Sequence, residues 1–485
     1  MLHQVNTVED LRTLGGSFAK LPSAPTHLEG KEPSTIFDPL HWTRSEGVKP
    51  RGRRVRWEGT VSGMDSFSVV NQVMIKLLGN LVGSTIDTIS VLDTNEDMST
   101  RRLLPYTPPR HVHAVHDFMS NVVDVRTADL TIRNGWPPNF NAPRTGLWVT
   151  YLAWEFYAIP TQWVRSLSMA NEIWTPTLWV KQGLVASGLP AHKVHVIPHG
   201  VNKSAICPTA RSATSNSTLL TQLRRDCGVP RRDTTTRPFV FLYHGGMLER
   251  KGTDLVVEAF ARAFQGDAQT APRRRAPICL VLHSTYGETA LTTAVTNYVN
   301  TQSLNMQARM VLLQRHLNQT DLAALMSFAD VLLHPSRSEG FGLGVAEAMT
   351  CGLPVITLGG GANADFVTAD TAMLVHSKPI TCRLNPCTSR KDNATGNTLY
   401  YVKGQLTPIA PVWLGFHPRD LAAVMLHVVQ NPERMHQKAE AAMAKAASLF
   451  AWERVQELMA RRLDALFRSN TLEERARRLR TSRVH

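Results

Sequence analysis

The sequence predicts an α/β protein of two β/α domains, joined by a linker and closed by C-terminal helices. Two series of short apolar runs carry that prediction. Each run alternates with a helical segment, and such alternation builds a mostly parallel sheet covered by helices. The length agrees, since 485 residues at ~150 per domain make about three domains or two large ones. Hydrophobic residues at 43% supply enough side chains for two cores and argue against overall disorder.

Residues 1–50 are rich in Pro, Ser, Thr and His, show no sustained period, and read as a loose lead-in. The first domain is read at 51–202. Its long helix candidate, DSFSVVNQVMIKLLGNL, sets Phe67, Val70, Val73, Leu77 and Leu81 at helical spacing. TIDTISVL, LTIR and LWVTYLAW read as strands, and SLSMANEIW and LWVKQGLVASG as helical. The polar Ser/Thr/Arg-rich stretch 203–237 reads as a linker or surface insertion. The second domain, 238–415, opens with the strand FVFLYH, a glycine turn and the helix TDLVVEAFARAF. ICLVLHS, RMVLLQ, DVLLHP and PVITL are further buried-strand candidates. An irregular insertion, 377–412, carries two close cysteines, and helices fill 416–485. Ligands of open α/β sheets bind at the carboxyl ends of the strands. The cleft between two facing sheets is therefore the expected site.

Lys and Arg number 53 against 39 Asp and Glu, a formal net charge of +14 that favours acidic partners such as phosphates, anionic lipid head groups or nucleic acid. No apolar run approaches the ~18 residues of a membrane span. The start lacks a long apolar segment and carries Glu9 and Asp10, so no secretory signal is expected. Six cysteines are too sparse for a disulfide scaffold, and free cytosolic thiols are the expectation. Cys382 and Cys387 are close, but a zinc site needs about four ligands.

The segment HPSRSEGFGLGVAEAMTCGLPVI, 334–356, carries the most chemistry. A strand ends at His334, a glycine-broken loop follows, and a helix begins near Gly344. Glu339 lies in the loop and Glu347 is placed in the first turn of the helix. Gly340, Gly342 and Gly344 have no Cβ, so the amides of Phe341, Gly342 and Leu343 can approach a ligand closely. A helix N-terminus suits a phosphate, and a carboxylate at 347 could accept two hydrogen bonds from a ribose diol. The same residues could instead only turn the chain and complement the helix dipole. A second motif, HGGMLERKGTDLVVEAF, 244–260, sets Gly245 and Gly246 at a turn and Arg250 and Lys251 before a helix. Two cations at a helix N-terminus make a diphosphate site, or a solvated basic turn.

EGFGLGVAEAMTCGLPVI resembles the E-x7-E signature of family 4 retaining glycosyltransferases, which have the GT-B fold: two Rossmann-like β/α domains facing a central cleft. The resemblance implies that Glu347 holds the nucleotide ribose and Glu339 lies against the donor sugar. The amides of Phe341 to Leu343 would contact sugar and phosphates. One departure is Gly344, where many members have Pro. In the second motif the resemblance implies that Lys251, with an Arg nearby, neutralises the leaving diphosphate. Many members have Gly-Arg directly after the strand. Here Met247 replaces that Arg, and Arg250 would do its work. WEGTVSGMDSFSVVNQVMIKLL, IRNGWPPNF, WEFYAIPTQWV and VHVIPHGVN resemble, in order, the family's acceptor domain. Gly63 stands where that domain can reach the donor phosphates. Trp154 and Glu155 end a strand and so would face the cleft, Glu155 orienting an acceptor hydroxyl or serving only as a paired carboxylate. Trp136, Trp154 and Trp163 could stack on a sugar or pack inside. The resemblance covers 54–202 and 238–465.

The expected protein is thus a retaining glycosyltransferase taking a sugar from a UDP- or GDP-linked donor to a hydroxyl acceptor, such as a glycan or lipid-linked group. Catalysis would rest on Glu339, Lys251 and Arg250. Donor binding would add Gly63, Gly245, Gly246, Gly340, Phe341, Gly342, Leu343 and Glu347. No D-x-D occurs in the chain, so no metal and no cofactor are expected. The G-x-G-x-x-G and Walker A motifs are also absent, which argues against a dehydrogenase or P-loop ATPase. Residues 461–485 hold eight Arg against three acidic residues, and KPRGRR adds a second basic cluster. Peripheral contact with an anionic membrane from the cytosolic side would use them; nucleic acid is not expected. The rivals are a nucleotide-sugar hydrolase or epimerase of the same fold, and an inert binding module recruited by its basic surface.

Overall fold

The structure is a computed structural model, and it describes residues 53–61, 66–94, 103–105, 128–207, 218–230, 235–265, 277–301, 308–384, 386–392 and 394–481. Gly63, the lead-in and most of KPRGRR lie outside the described residues. The contacts divide the chain into two compact units. One runs from Tyr151 to Leu458; the other ends at Thr150 and resumes at Met459.

The unit ending at Thr150 is built on β1 (Arg54–Gly59), β2 (Thr88–Asp93), β3 (Leu103–Pro105), β4 (Leu130–Asn134) and β5 (Leu147–Tyr151), in the order β3-β2-β1-β4-β5. Every pair is parallel except β2 with β3. β1 alternates, burying Val55 and Trp57 and leaving Arg54 and Arg56 partly exposed, as a half-buried strand should. Helix α1 (Ser66–Gly79) buries Val70, Met74, Ile75, Leu77 and Leu78, so its inner face is turned slightly from the spacing read through Val73. Its Asn71 is also buried. It accepts from Trp57 Nε1 at 3.1 Å and donates to the carbonyls of Thr60 and Asn134, which fixes the loop end after β1. In this unit Arg53 also pairs with Asp464 at 2.7 Å.

The larger unit begins with α2 (Thr161–Leu167), β6 (Glu172–Thr175), α3 (Leu178–Ala186) and β7 (Val194–Val196), with β6 and β7 parallel. Two readings are corrected here. The strand at LWVTYLAW stops at Tyr151, so Trp154 and Glu155 lie in the loop beyond it. SLSMANEIW is the end of a helix followed by a strand. Its apolar Ile173 and Trp174 are fully buried in β6, with Trp174 Nε1 donating to Glu172.

The stretch 203–237 contains α4 (Lys203–Ile206) and α5 (Thr218–Asp226), the second burying Leu219 and Leu223. It is therefore partly built into the core rather than wholly a linker. Next come β8 (Phe239–His244), α6 (Thr253–Phe264), β9 (Ile278–His283), α7 (Thr289–Thr301), β10 (Ala308–Leu313), α8 (Gln319–Phe328), β11 (Val331–His334), α9 (Leu343–Thr350), β12 (Val355–Leu358) and β13 (Met373–Val375). The strands form one parallel sheet in the order β10-β9-β8-β11-β12-β13. That is the doubly wound order, which reverses direction between β8 and β11. Two hydrophobic layers cover its faces, one centred on Phe241, Phe260 and Leu282, the other on Leu242, Val281, Leu332 and Met349.

The insertion at 377–412 is ordered β-structure rather than irregular. β14 (Lys378–Thr381) pairs antiparallel with β18 (Val412–Gly415), and β15 (Cys387–Lys391), β16 (Thr398–Val402) and β17 (Gln405–Thr407) form an antiparallel meander. These strands are three to five residues long and β15 is mostly exposed, so they carry little hydrophobic pattern. Helices α10 (Pro418–Gln430), α11 (Pro432–Leu449) and α12 (Trp452–Thr481) follow.

The expectation of free thiols is overturned. Cys207 pairs with Cys351, Cys227 with Cys279, and Cys382 with Cys387, leaving no free cysteine. The first two pairs are 144 and 52 residues apart in sequence, and only the fold brings them together. Alkylation in intact cells, read by mass after lysis, should label none of the six. Labelling of all six would show that the pairs do not form in the cell.

Candidate active site

The two motifs meet at the reversal of strand order. The loop after β8 holds Gly245, Gly246, Arg250 and Lys251, and the loop after β11 holds Glu339. β8 and β11 are paired neighbours, so their carboxyl ends deliver both loops to one place. Arg250 and Lys251 lie on a short 3-10 turn, Glu249–Lys251, that runs into α6 through Gly252.

The loops are bolted together. Arg337, almost fully buried, donates to Asp254 at 3.0 and 3.2 Å and to the carbonyl of Glu249. Its guanidinium lies over Trp413 and Phe416, and its backbone N donates to Arg250 O at 2.8 Å. A buried ion pair contributes geometry more surely than net stability. Here it fixes the backbone that carries Arg250 and Lys251.

Glu339 sits among basic side chains. Lys251 Nζ is 3.0 Å from its Oε1, Arg250 Nη1 3.3 Å from its Oε2, and His334 Nε2 3.4 Å from Oε1. Burial alone would raise its pKa, but Lys251 and Arg250 outweigh that and hold it well below the usual carboxylate range. Arg250 also donates to Ser338 O at 2.6 Å and lies 3.3 Å from Glu155. Burial works against its charge, and Glu155 and Glu339 more than offset it. Ser338 Oγ donates to Glu155 O. Glu155, read as an acceptor-side residue, is therefore within the charged cluster.

The glycine loop is close-packed. Gly342 has φ +94°, a conformation open to glycine, and a Cβ there would collide with Asn363 Oδ1. Gly340 O accepts from Thr177 Oγ1 at 3.0 Å, and a Cβ at 340 would press on Ala153 and Trp154. Helix α9 starts at Leu343, capped by Gly342. Glu347 is its fifth residue, beyond the first turn where the reading placed it, so complementing the helix dipole is a weak account of it. It is partly buried, and desolvation raises its pKa to about 7. Phe341 turns its side chain inward against Phe366, Phe450 and His199.

Trp154 is buried, its Nε1 bonded to Ala158 O at 2.7 Å and its ring edge-on to Trp163. It packs, and stacking on a sugar is closed to it. Met247, standing where the resemblance expected Arg, is fully buried. Tyr286, 59% exposed, lies over Gly246, where a Cβ would meet its ring. His244 and His283 stack at the ends of β8 and β9, Nδ1 to Nδ1 at 2.7 Å, and burial pushes His244 down to about 3. Sequence reading missed Arg337, Tyr286 and this histidine pair. His244 and Arg337 do lie within the two motifs, but Arg337 pairs with Asp254 of the other motif and His244 with His283 of β9, and no local pattern shows either pairing.

The family described as Glycosyl transferases group 1 matches residues 238–381. In overall structure the chain is similar to Anabaena HepE in complex with UDP and glucose, with a TM-score of 0.54 and 14% identity over 85% of this chain and 100% of that one. It is similar to sucrose-phosphate synthase of Thermosynechococcus elongatus, TM-score 0.53, 16% identity, over 86% of this chain and 100% of that one. The chain has the GT-B fold. In sequence this GT-B chain is 29% identical over 186 residues to a D-inositol 3-phosphate glycosyltransferase of Xylanimonas cellulosilytica, and 29% over 155 residues to one of Corynebacterium aurimucosum. These matches take in 38% and 32% of this chain and span 39% and 34% of the relatives. The stretch of the GT-B fold matched by the family contains Gly245, Gly246, Arg250, Lys251, Glu339 and Glu347.

Proposed function

We propose that this chain is a retaining glycosyltransferase that moves a sugar from a nucleotide-diphosphate sugar to an acceptor hydroxyl without a metal. One observation carries the reading. Lys251 and Arg250 are fixed beside Glu339 at the strand-order reversal of a doubly wound sheet, and α9 presents the partly buried Glu347 from the same loop. The cations would neutralise the leaving diphosphate, helped by the amides of Phe341 to Leu343. Glu347 would accept from the donor ribose, and Glu339 would lie against the sugar. The acceptor hydroxyl would attack on the face that the diphosphate leaves, and the departing phosphate would take its proton.

HepE in complex with UDP and glucose favours a uridine donor. A thermal-shift screen against UDP, GDP and their sugars tests this. UDP and a UDP-sugar should raise the melting temperature by ligand linkage. No shift with any nucleotide would overturn the reading. Product analysis with and without acceptor separates transfer from hydrolysis.

Among the described residues no helix is long and apolar enough to cross a membrane. A cytosolic location loses its support from free thiols, because paired cysteines persist in oxidising compartments. The contact with anionic lipid remains a proposal from the basic residues of 461–485.

A further inference from the structure

The insertion 377–412 places one more cation beside the site. β16 and β17 are joined by a two-residue turn, Lys403-Gly404, between the paired Val402 and Gln405. Both turn residues have positive φ, +50° and +74°. That turn favours Asn-Gly, and a lysine at its first position is conformationally costly. Backbone placed in such a region is a reason to look for a function.

The side chain leads to the charged cluster. Lys403 Nζ lies 5.9 Å from the centre of the Trp154 ring, and Trp154 adjoins Glu155. Glu155 and Arg250 both act electrostatically on Lys403. Burial and Arg250 lower its pKa, and Glu155 raises it. The position is held from both sides. Val412 N, at the return of the insertion, donates to Phe156 O at 3.1 Å, and Lys403 N donates to Pro386 O at 2.9 Å. The Cys382–Cys387 pair closes the base.

Arg250 and Lys251 pair with Glu339, Arg250 pairs also with Glu155, and Lys403 reaches the same cluster over Trp154. A donor diphosphate would engage Arg250 and Lys251, the cations at the loop after β8. Lys403 comes instead from the turn between β16 and β17 and lies over Trp154, the chain neighbour of Glu155, which was read as orienting an acceptor hydroxyl. We propose that Lys403 is an acceptor-binding residue, brought in by the insertion, that selects an acceptor carrying an anionic group such as a phosphate monoester or a carboxylate. This rests on the transferase reading above.

Lys403→Asn suits the turn and removes the ammonium, so it tests binding without endangering the fold. Lys403→Arg keeps the charge. With UDP saturating, calorimetry would titrate glucose 6-phosphate, glucuronate and glucose into each protein. The parent should bind at least one of the two anionic sugars more tightly than glucose, and which one identifies the group. Lys403→Asn should lose that preference by tenfold or more, keep its affinity for UDP, and melt no lower than the parent. Lys403→Arg should retain the preference. Equal affinity for the anionic sugars in parent and Lys403→Asn would overturn the inference. So would a parent without preference, or a clear fall in melting temperature that marks Lys403 as a packing residue over Trp154. UDP binding is read first in the same samples. Its absence overturns the transferase reading and this inference with it, whereas intact UDP binding with unchanged sugar selectivity overturns this inference alone.

Discussion

Replacing Lys251 by alanine should lower turnover with a nucleotide-sugar donor by about a hundredfold or more, the scale of deleting one preorganised donor. The transition state puts negative charge on the departing diphosphate, and only contacts that strengthen as this charge develops raise the rate. Lys251 fits that requirement. Its ammonium is held 3.0 Å from Glu339, on a turn whose backbone is tied down by the Arg337–Asp254 pair. Little reorganisation is needed when charge appears. Three ammonium donors leave capacity for a phosphate beside Glu339. Arg250 differs, because it also serves Ser338 O and Glu155. Arg250→Ala should therefore lower the melting temperature as well as turnover, while Lys251→Ala acts chiefly on turnover. With fixed cations in this role and no D-x-D in the chain, activity should survive EDTA. Either of two results would refute the mechanism: loss in EDTA restored by magnesium or manganese, or near-normal turnover in Lys251→Ala.

The parallel sheets were legible because buried parallel strands read as continuous apolar runs, as in FVFLYH and ICLVLH. The two site loops were legible because their glycines and charges are local in sequence. Three things were not. The end of β5 was read too late, since Trp154 is apolar for burial in a loop rather than in a strand. The strands of the insertion, such as Cys387–Lys391 with mostly exposed side chains, bury too little to show a pattern. Long-range partners were invisible. Arg337 finds Asp254 83 residues away, Lys403 approaches Trp154 across about half the chain, and Cys207 meets Cys351. Each depends on the sheet order, which no local window contains.

Glu347→Gln should weaken UDP binding at pH 8 by about 1.5–3 kcal/mol, the range for a hydrogen bond to a charged group. It should also change how binding depends on pH. Desolvation raises the Glu347 carboxyl to about 7, so near pH 6 it is mostly protonated and near pH 8 mostly ionised. Only the ionised form accepts with both oxygens from a ribose diol. UDP affinity of the parent should therefore rise from pH 6 to pH 8 through this group. UDP titrates its own terminal phosphate near this range, and that contribution is common to both proteins. The diagnostic quantity is the difference between them, which should be small at pH 6 and full at pH 8. Stability without ligand should run the other way. A carboxyl whose pKa is raised in the folded state stabilises the fold below its unfolded pKa, and that contribution is lost as pH rises towards about 7. Glutamine escapes the loss, so ligand-free Glu347→Gln should melt no lower than the parent at pH 8 while binding UDP more weakly. A residue that only packs would lose stability and leave the pH dependence of binding unchanged. Calorimetry showing parallel curves for parent and Glu347→Gln from pH 6 to pH 8, at equal affinity, would remove Glu347 from the ribose site.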